Sequence, residues 1–303
     1  MSKPAFSYEQ QLDLLKSRGL EVTDEPFAYH CLKHHNYYRL SAYRYPFTER
    51  GNPDRFLNGV TFKQIWELYC FDRELRQMVI EGCKRVEISV RSRWAYEVGK
   101  QLGPQSYENK KYFTNFSRHH QSLVKLDEEI LRSREDFIAH YKRNYPDKRP
   151  EVWVAVEVAS FGTVSNFLKH TNPPRIRQDI ADTYELDEKV FCSLFHHLSV
   201  LRNTAAHHSR IWNRRFVVTF KLPRKKPTYL YPNFHDNPKG ENGNKRKIYN
   251  TLVLLNHLMR IIEPSGDWSN RLVILLGKLP SNLLPDMGFP TDWKTRPMWC
   301  SHL

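Results

Sequence analysis

From Thr61 to Gly103 the apolar residues Ile65, Leu68, Leu75, Met78, Val79, Val86 and Val90 recur at spacings built from three, four and seven. Thr61 can cap the start of this stretch with its hydroxyl. A period of that kind belongs to an α-helix. The chain must therefore contain one long amphipathic helix, with Gly82 as the place where it can kink. Such a helix must bury its apolar stripe against other elements, which makes it the part around which everything else has to be arranged.

The rest of the chain offers mostly helices to do this. Leu12, Leu14 and Leu15, followed by Gly19, read as a short helix, and a second helical pattern runs from Asp24 to Tyr43. After the long helix comes a charged one around "LVKLDEEILRSREDFIAHYKRN". Another has Pro150 in its first turn and a break at Gly162. Asp187 caps a helix carrying Val190, Leu194, Leu198 and Leu201. "FVVTFKL", 216–222, is the one candidate strand. The stretch 221–247, rich in Pro, Lys, Asn and Gly, reads as a long basic loop. Two helices, about Ile248 to Ile262 and Trp268 to Leu279, close the chain. The expectation is a mainly α fold: an N-terminal helical segment (1–60) packed on a helical core (61–216), then the basic loop and C-terminal helices (217–303), in one integrated domain.

Lys plus Arg outnumber Asp plus Glu by 47 to 33, and the resulting charge of +14 favours a polyanionic partner, nucleic acid or an anionic surface. The first residues lack the uninterrupted apolar core of a signal peptide, and the most apolar later segment, "TLVLLNHLMRII", is broken by Asn256, His257 and Arg260. A soluble, cytoplasmic protein with no membrane partner is expected. The five cysteines form no CxxC pair, so they encode neither a disulfide framework nor a zinc knuckle. GxGxxG, GxxxxGK[ST] and HExxH are all missing, which weighs against nucleotide-driven and zincin chemistry. Any catalysis has to come from side chains.

Those side chains gather at the end of the helix capped by Asp187. Between Leu198 and Phe216 stand four arginines and two histidines, with no acidic residue among them. An ordinary surface helix mixes its charges as i,i+4 pairs. Two readings are open: a basic helix end that complements the helix dipole, or a site that holds phosphate. Asn203 and His207 are four apart and share a helix face. Arg202 and His207 are five steps of about 100° apart, which leaves them roughly 140° from each other. One intact helix cannot aim both at one phosphate.

"RNTAAH", Arg202 to His207, resembles the R-x4-6-H signature of the HEPN ribonuclease superfamily, with Asn directly after Arg. Its surroundings are similar to Abi-like abortive-infection proteins of the AbiD/AbiF type: "YEQQLDLLKSRGL" and "HNYYRLSAYRYPF" near the start, "VWVAVEVASFGTVSNF" before the motif, "LRNTAAHHSRIWNR" around it, and "YNTLVLLNHL" and "MGFPTDW" near the end. The resemblance implies a HEPN-like helical bundle with extra N- and C-terminal helices, the core at 61–216 carrying RNxxxH. It implies a metal-independent endoribonuclease that needs no cofactor, with Arg202, Asn203 and His207 as the catalytic set. It also implies a homodimer through that core, whose two motifs share one cleft, and restraint by a small noncoding RNA antitoxin.

The residue types suit such chemistry. A neutral His207 can take the proton of a ribose 2′-OH, and Arg202 can meet the charge that develops on the phosphate oxygens. The products would be a 2′,3′-cyclic phosphate and a 5′-OH, and DNA would not be cut. Asn203 would orient His207 or the phosphate, or else cap the helix. His208, Arg210, Arg214, Arg224, Lys225 and Lys226 are candidates for holding the RNA backbone. Glu157 could tune the histidine or simply face solvent. "HHNYYRLSAYRY" could stack bases or pack a core. Cys192 and His196 lie at i,i+4, but two ligands do not make a metal site, and none is expected. The rival function is a non-catalytic RNA-binding module of a defence or toxin–antitoxin system, and an interaction protein that binds no RNA is a third.

Overall fold

Thr61 begins the long helix as its sequence predicts. Its hydroxyl accepts from the Gln64 N–H at 3.3 Å while the Gln64 side chain returns to the Thr61 N–H at 2.8 Å, a reciprocal capping box. The computed structural model describes residues 5–223, 227–235 and 246–300. In chain order the main helices are α1 (Tyr8–Ser17), α2 (Glu25–His34), α3 (Tyr37–Ser41), α4 (Phe62–Leu102), α5 (Phe116–Arg132), α6 (Asp136–Asn144), α7 (Val152–Val158), α8 (Phe161–His170), α9 (Pro174–Asp182), α10 (Glu188–Ala206), α11 (Tyr249–Ile262), α12 (Trp268–Gly277) and α13 (Pro297–Cys300). The fold is mainly α.

The long helix α4 is the axis. Helices α7 to α12 all pack on it. Ile65, Leu68, Leu75, Val79, Val86 and Val90 are buried along its length, as the periodicity requires. It runs unbroken through Gly82. A Cβ at that position would stand 3.1 Å from Leu255 of α11 and from Trp268 of α12. The glycine lets two helices approach the axis closely. Helix α11 is enclosed from Tyr249 to Met259, and its polar residues are satisfied inside: Asn250 accepts from the His235 N–H at 2.9 Å, and the His257 Nε2 bonds the Tyr184 carbonyl at 2.9 Å.

Other boundaries depart from the sequence reading. The pattern 24–43 splits into α2 and α3 because the Asn36 side chain caps a new helix at Tyr38 N–H, 2.8 Å away. The charged region likewise splits into α5 and α6. Pro150 lies just before α7, and the break falls at Ala159–Ser160, leaving Gly162 inside the first turn of α8. The segment 216–222 forms no strand. Its backbone is taken by side chains of α10: the His197 Nδ1 bonds the Val218 carbonyl at 2.7 Å, and the Lys221 N–H donates to Ser193 at 3.0 Å. With no second strand to pair with, β propensity alone does not make a sheet. Instead a small hairpin, β1 (Thr48–Glu49) and β2 (Asn52–Phe56), turns through Gly51 at φ 84° in what reads as a loop. Within the basic stretch, Thr228–Asn233 is a 3₁₀ turn that buries Leu230. Among the described residues, no helix is long and apolar enough to cross a membrane.

Candidate functional site

Val190, Leu194, Leu198, Leu201 and Ala205 are buried along one face of α10, which seats the helix between α4 and α8. Asp187 caps its start as expected, accepting from the Lys189 N–H at 2.9 Å. The other end is equally well defined. The His207 N–H still reaches the Asn203 carbonyl at 3.0 Å, so the helix does not unwind before its last motif residue. His208 follows at φ 56°, its N–H bonded to the Ala205 carbonyl at 3.0 Å, and the Ser209 N–H returns to the Thr204 carbonyl at 3.1 Å. That pair of bonds is a Schellman closure, in which a glycine usually takes the left-handed position that His208 holds here.

A rigid helix end fixes the motif's geometry. Arg202 and His207 therefore keep their separation of roughly 140° around the axis. Long helical side chains also lean towards the helix N-terminus, so Arg202 reaches back, away from His207. Its guanidinium lies 5.6 Å from the centroid of the Phe161 ring, and its Nη2 stands 3.5 Å from Glu87 Oε2. The Arg202 Nε is buried with no hydrogen-bond partner, although the side chain as a whole keeps 27% of its exposure. Among the described residues, a fork of five donors is thus left with one long bond. Asn203, His207 and His208 are all exposed.

Glu87 is the residue that sequence reasoning missed. It sits on α4, buried, and accepts from Arg91 Nη2 at 2.5 Å on its other oxygen. Arg91 in turn holds the Ala159 carbonyl at 2.5 Å and the Glu157 carbonyl at 3.2 Å, which ties the α7–α8 junction to the same network. Glu157 itself points to solvent and contributes only that carbonyl. A signal was present: Glu87 follows Cys83 by four and precedes Val90 by three, so it stands on the apolar stripe where a carboxylate needs a partner. Burial pushes the Cys83 thiol far above the ordinary range, so this neighbour is no nucleophile.

The chain beyond the motif is held by a second buried carboxylate. Asp72 of α4 accepts the N–H groups of Ile211 and Trp212 at 3.1 and 2.6 Å, the Tyr43 hydroxyl at 2.5 Å, and pairs with Arg76. Arg210 donates to the Ala42 carbonyl at 2.8 Å and covers the Trp212 ring, while Arg214 reaches the Arg210 carbonyl at 3.4 Å. Asn213, at φ 49°, accepts from Lys247, whose ammonium is pushed down by burial. Of the residues expected to hold RNA, Arg210 and Arg214 are thus engaged with backbone, and His208 closes the helix. Arg224, Lys225 and Lys226 lie outside the described residues. Burial pushes the Cys192 thiol up to about 12, and among the described residues no three His, Cys, Asp or Glu side chains stand together as a metal site.

A family model described as Abi-like protein matches residues 30–213, more than half of the chain, from within α2 to just past the motif. No curated protein and no solved structure matches the sequence.

Proposed function

The chain belongs to the Abi-like protein family, and on that premise we propose that it is an abortive-infection effector acting as a metal-independent HEPN-type endoribonuclease. The observation that carries the reading is the half-buried Arg202, its donors largely unused among the described residues, five residues before an exposed His207 in a stretch, 198–216, that holds four arginines and no acidic residue.

In this reading His207 accepts the proton of a ribose 2′-OH as that oxygen attacks the adjacent phosphorus. The P–O5′ bond breaks, the 5′ oxygen takes up a proton, and the cut ends are a 2′,3′-cyclic phosphate and a 5′-OH. Arg202 donates to the non-bridging oxygens as their charge grows, for which a planar fork is better suited than an ammonium. Asn203 orients the phosphate or the imidazole. The rigid offset between Arg202 and His207 supports a homodimeric site, in which a second copy brings its own motif to the same cleft. A folded RNA bound at such a cleft would block substrate entry, which is how a small noncoding antitoxin would restrain it.

Mixing tests the composite site. Arg202→Ala and His207→Ala proteins should each be inactive alone, and their mixture should regain cleavage once subunits exchange, because one dimer face then carries both intact residues. The RNA-binding alternative rests on the contact between Arg202 and Glu87, which keeps the guanidinium away from His207. It predicts tight RNA binding by wild type and by His207→Ala, and no cleavage by either.

A further inference from the structure

The aromatic run at residues 34–45 separates in the structure into two kinds of tyrosine. Tyr37 and Tyr43 are turned inward: the Tyr37 hydroxyl accepts from Arg18 at 2.9 Å, and Tyr43, 1% exposed, donates to Asp72. Tyr38 and Tyr45 are 75% and 66% exposed, and neither hydroxyl makes a hydrogen bond among the described residues. The Tyr38 ring touches only the edge of Tyr37, at 5.7 Å between centroids. In a chain that buries most of its aromatic surface, these rings do nothing for the core.

Their position is fixed against the motif. Arg39, the neighbour of Tyr38, donates to the carbonyl of His208, the neighbour of His207, at 2.8 Å. Arg210 returns to the Ala42 carbonyl at the end of α3, also at 2.8 Å. Two bonds spanning almost the whole core therefore dock this five-residue helix on the turn that follows His207. Asp54 pairs with Arg18 and Arg44 on the Tyr45 side, and the half-buried Arg210 lies in the field of Asp286. Arg39 and Arg73 are exposed, and neither forms an ion pair with a carboxylate among the described residues. Arg39 and Arg73 both lie near His35 and help to hold its imidazole below its ordinary range, after the larger effect of burial.

An exposed aromatic face set among unpaired guanidinium groups is the arrangement that holds unpaired bases and their phosphates. We propose that Tyr38 is a stacking platform for a base of single-stranded RNA beside His207, with Arg39 and Arg73 on the adjoining backbone. This rests on the ribonuclease reading for the nature of the ligand. It adds to that reading the part of the protein that would hold the strand. A duplex offers no free base face, so the platform selects unpaired RNA.

The test uses the full chain and a fluorescein-labelled single-stranded RNA carrying 2′-O-methyl groups throughout, which binds without being cut. Tyr38→Ala should weaken binding by roughly 5- to 150-fold, the range for losing one stacked base. Tyr38→Phe and Tyr38→Trp should stay within about two-fold of wild type, since stacking needs the ring and not the hydroxyl. Arg73→Ala should lower the salt slope by about 0.7. Tyr145→Ala removes another half-exposed ring, from the end of α6, and should change nothing. An unchanged urea midpoint for Tyr38→Ala excludes a folding effect. Binding by Tyr38→Ala equal to wild type overturns the platform, as does equal dependence on Tyr38 for single-stranded and duplex probes. Loss of binding in Tyr38→Ala, together with no cleavage of unmodified RNA by wild type, supports the platform and removes the catalytic reading alone.

Discussion

Replacing Asp72 by Asn should remove a large part of the stability of this fold. The carboxylate is fully enclosed and accepts from four donors: the Tyr43 hydroxyl, Arg76, and the N–H groups of Ile211 and Trp212. Asparagine keeps the shape and one oxygen, which can stay with the two backbone groups. Its amide then faces Tyr43 and Arg76, donor against donor, and Arg76, 4% exposed, is left with no counter-charge. Breaking a buried pair in this way costs about 3–5 kcal/mol, against a total stability of about 5–15 kcal/mol for a typical domain. With a urea m-value near 3 kcal/mol/M, the midpoint should fall by roughly 1–1.7 M. Trp212, buried beside Asp72, makes intrinsic fluorescence a suitable probe. Most of the loss comes from the stranded guanidinium, so adding Arg76→Met to Asp72→Asn should recover at least half of it. An Asp72→Asn protein within about 1 kcal/mol of wild type, or a double variant no better than the single, would refute this account.

Three further outcomes follow from the same geometry. Burial pushes the His197 imidazole down to about 4, between the Val218 carbonyl and the Thr251 hydroxyl. The unfolded chain then binds a proton near pH 6.5 that the folded one refuses, so stability falls as pH drops from about 6.5 to about 4, by roughly 3 kcal/mol; urea titrations across that window should show a smaller slope in His197→Gln. His208→Gly should stabilise by about 1 kcal/mol, because glycine adopts the left-handed closure of α10 without strain, and a lower urea midpoint would count against the Schellman assignment. Glu87→Gln removes the charge shared by Arg91 and Arg202, whose side chains are 17% and 27% exposed. The cost should be about 2 kcal/mol, between the values for surface and buried pairs, and a neutral effect on chemical unfolding would show that Glu87 does not hold them.

Where the sequence was legible, a local rule decided the structure. Thr61 and Asp187 each start their helix because a short polar side chain meets an exposed N–H. The apolar stripe of α4 lies where its spacing puts it. The position of RNTAAH at the end of a buried helix was readable for the same reason. The failures are tertiary. The segment 216–222 has strand propensity but no strand to pair with, and α10 supplies side chains in its place. Nothing local shows that Leu255 and Trp268 will come to lie against Gly82. Glu87 and Asp72 stand on the apolar side of α4, but only the fold shows which groups partner them there. Tyr38 and Tyr43 are five residues apart in one aromatic run, and only the docking of α3 decides that one faces solvent and the other the core.

On the proposed reading, Arg202 and His207 cut RNA through the ribose 2′-OH. The most direct measurement is cleavage of end-labelled single-stranded RNA in EDTA by wild type, Arg202→Ala and His207→Ala, with the product termini resolved. The account predicts wild-type cleavage that survives chelation, leaves cyclic phosphate ends and disappears in both variants, while His207→Ala still binds the RNA. Cleavage that persists in His207→Ala, or wild-type products ending in 3′-OH, would contradict it.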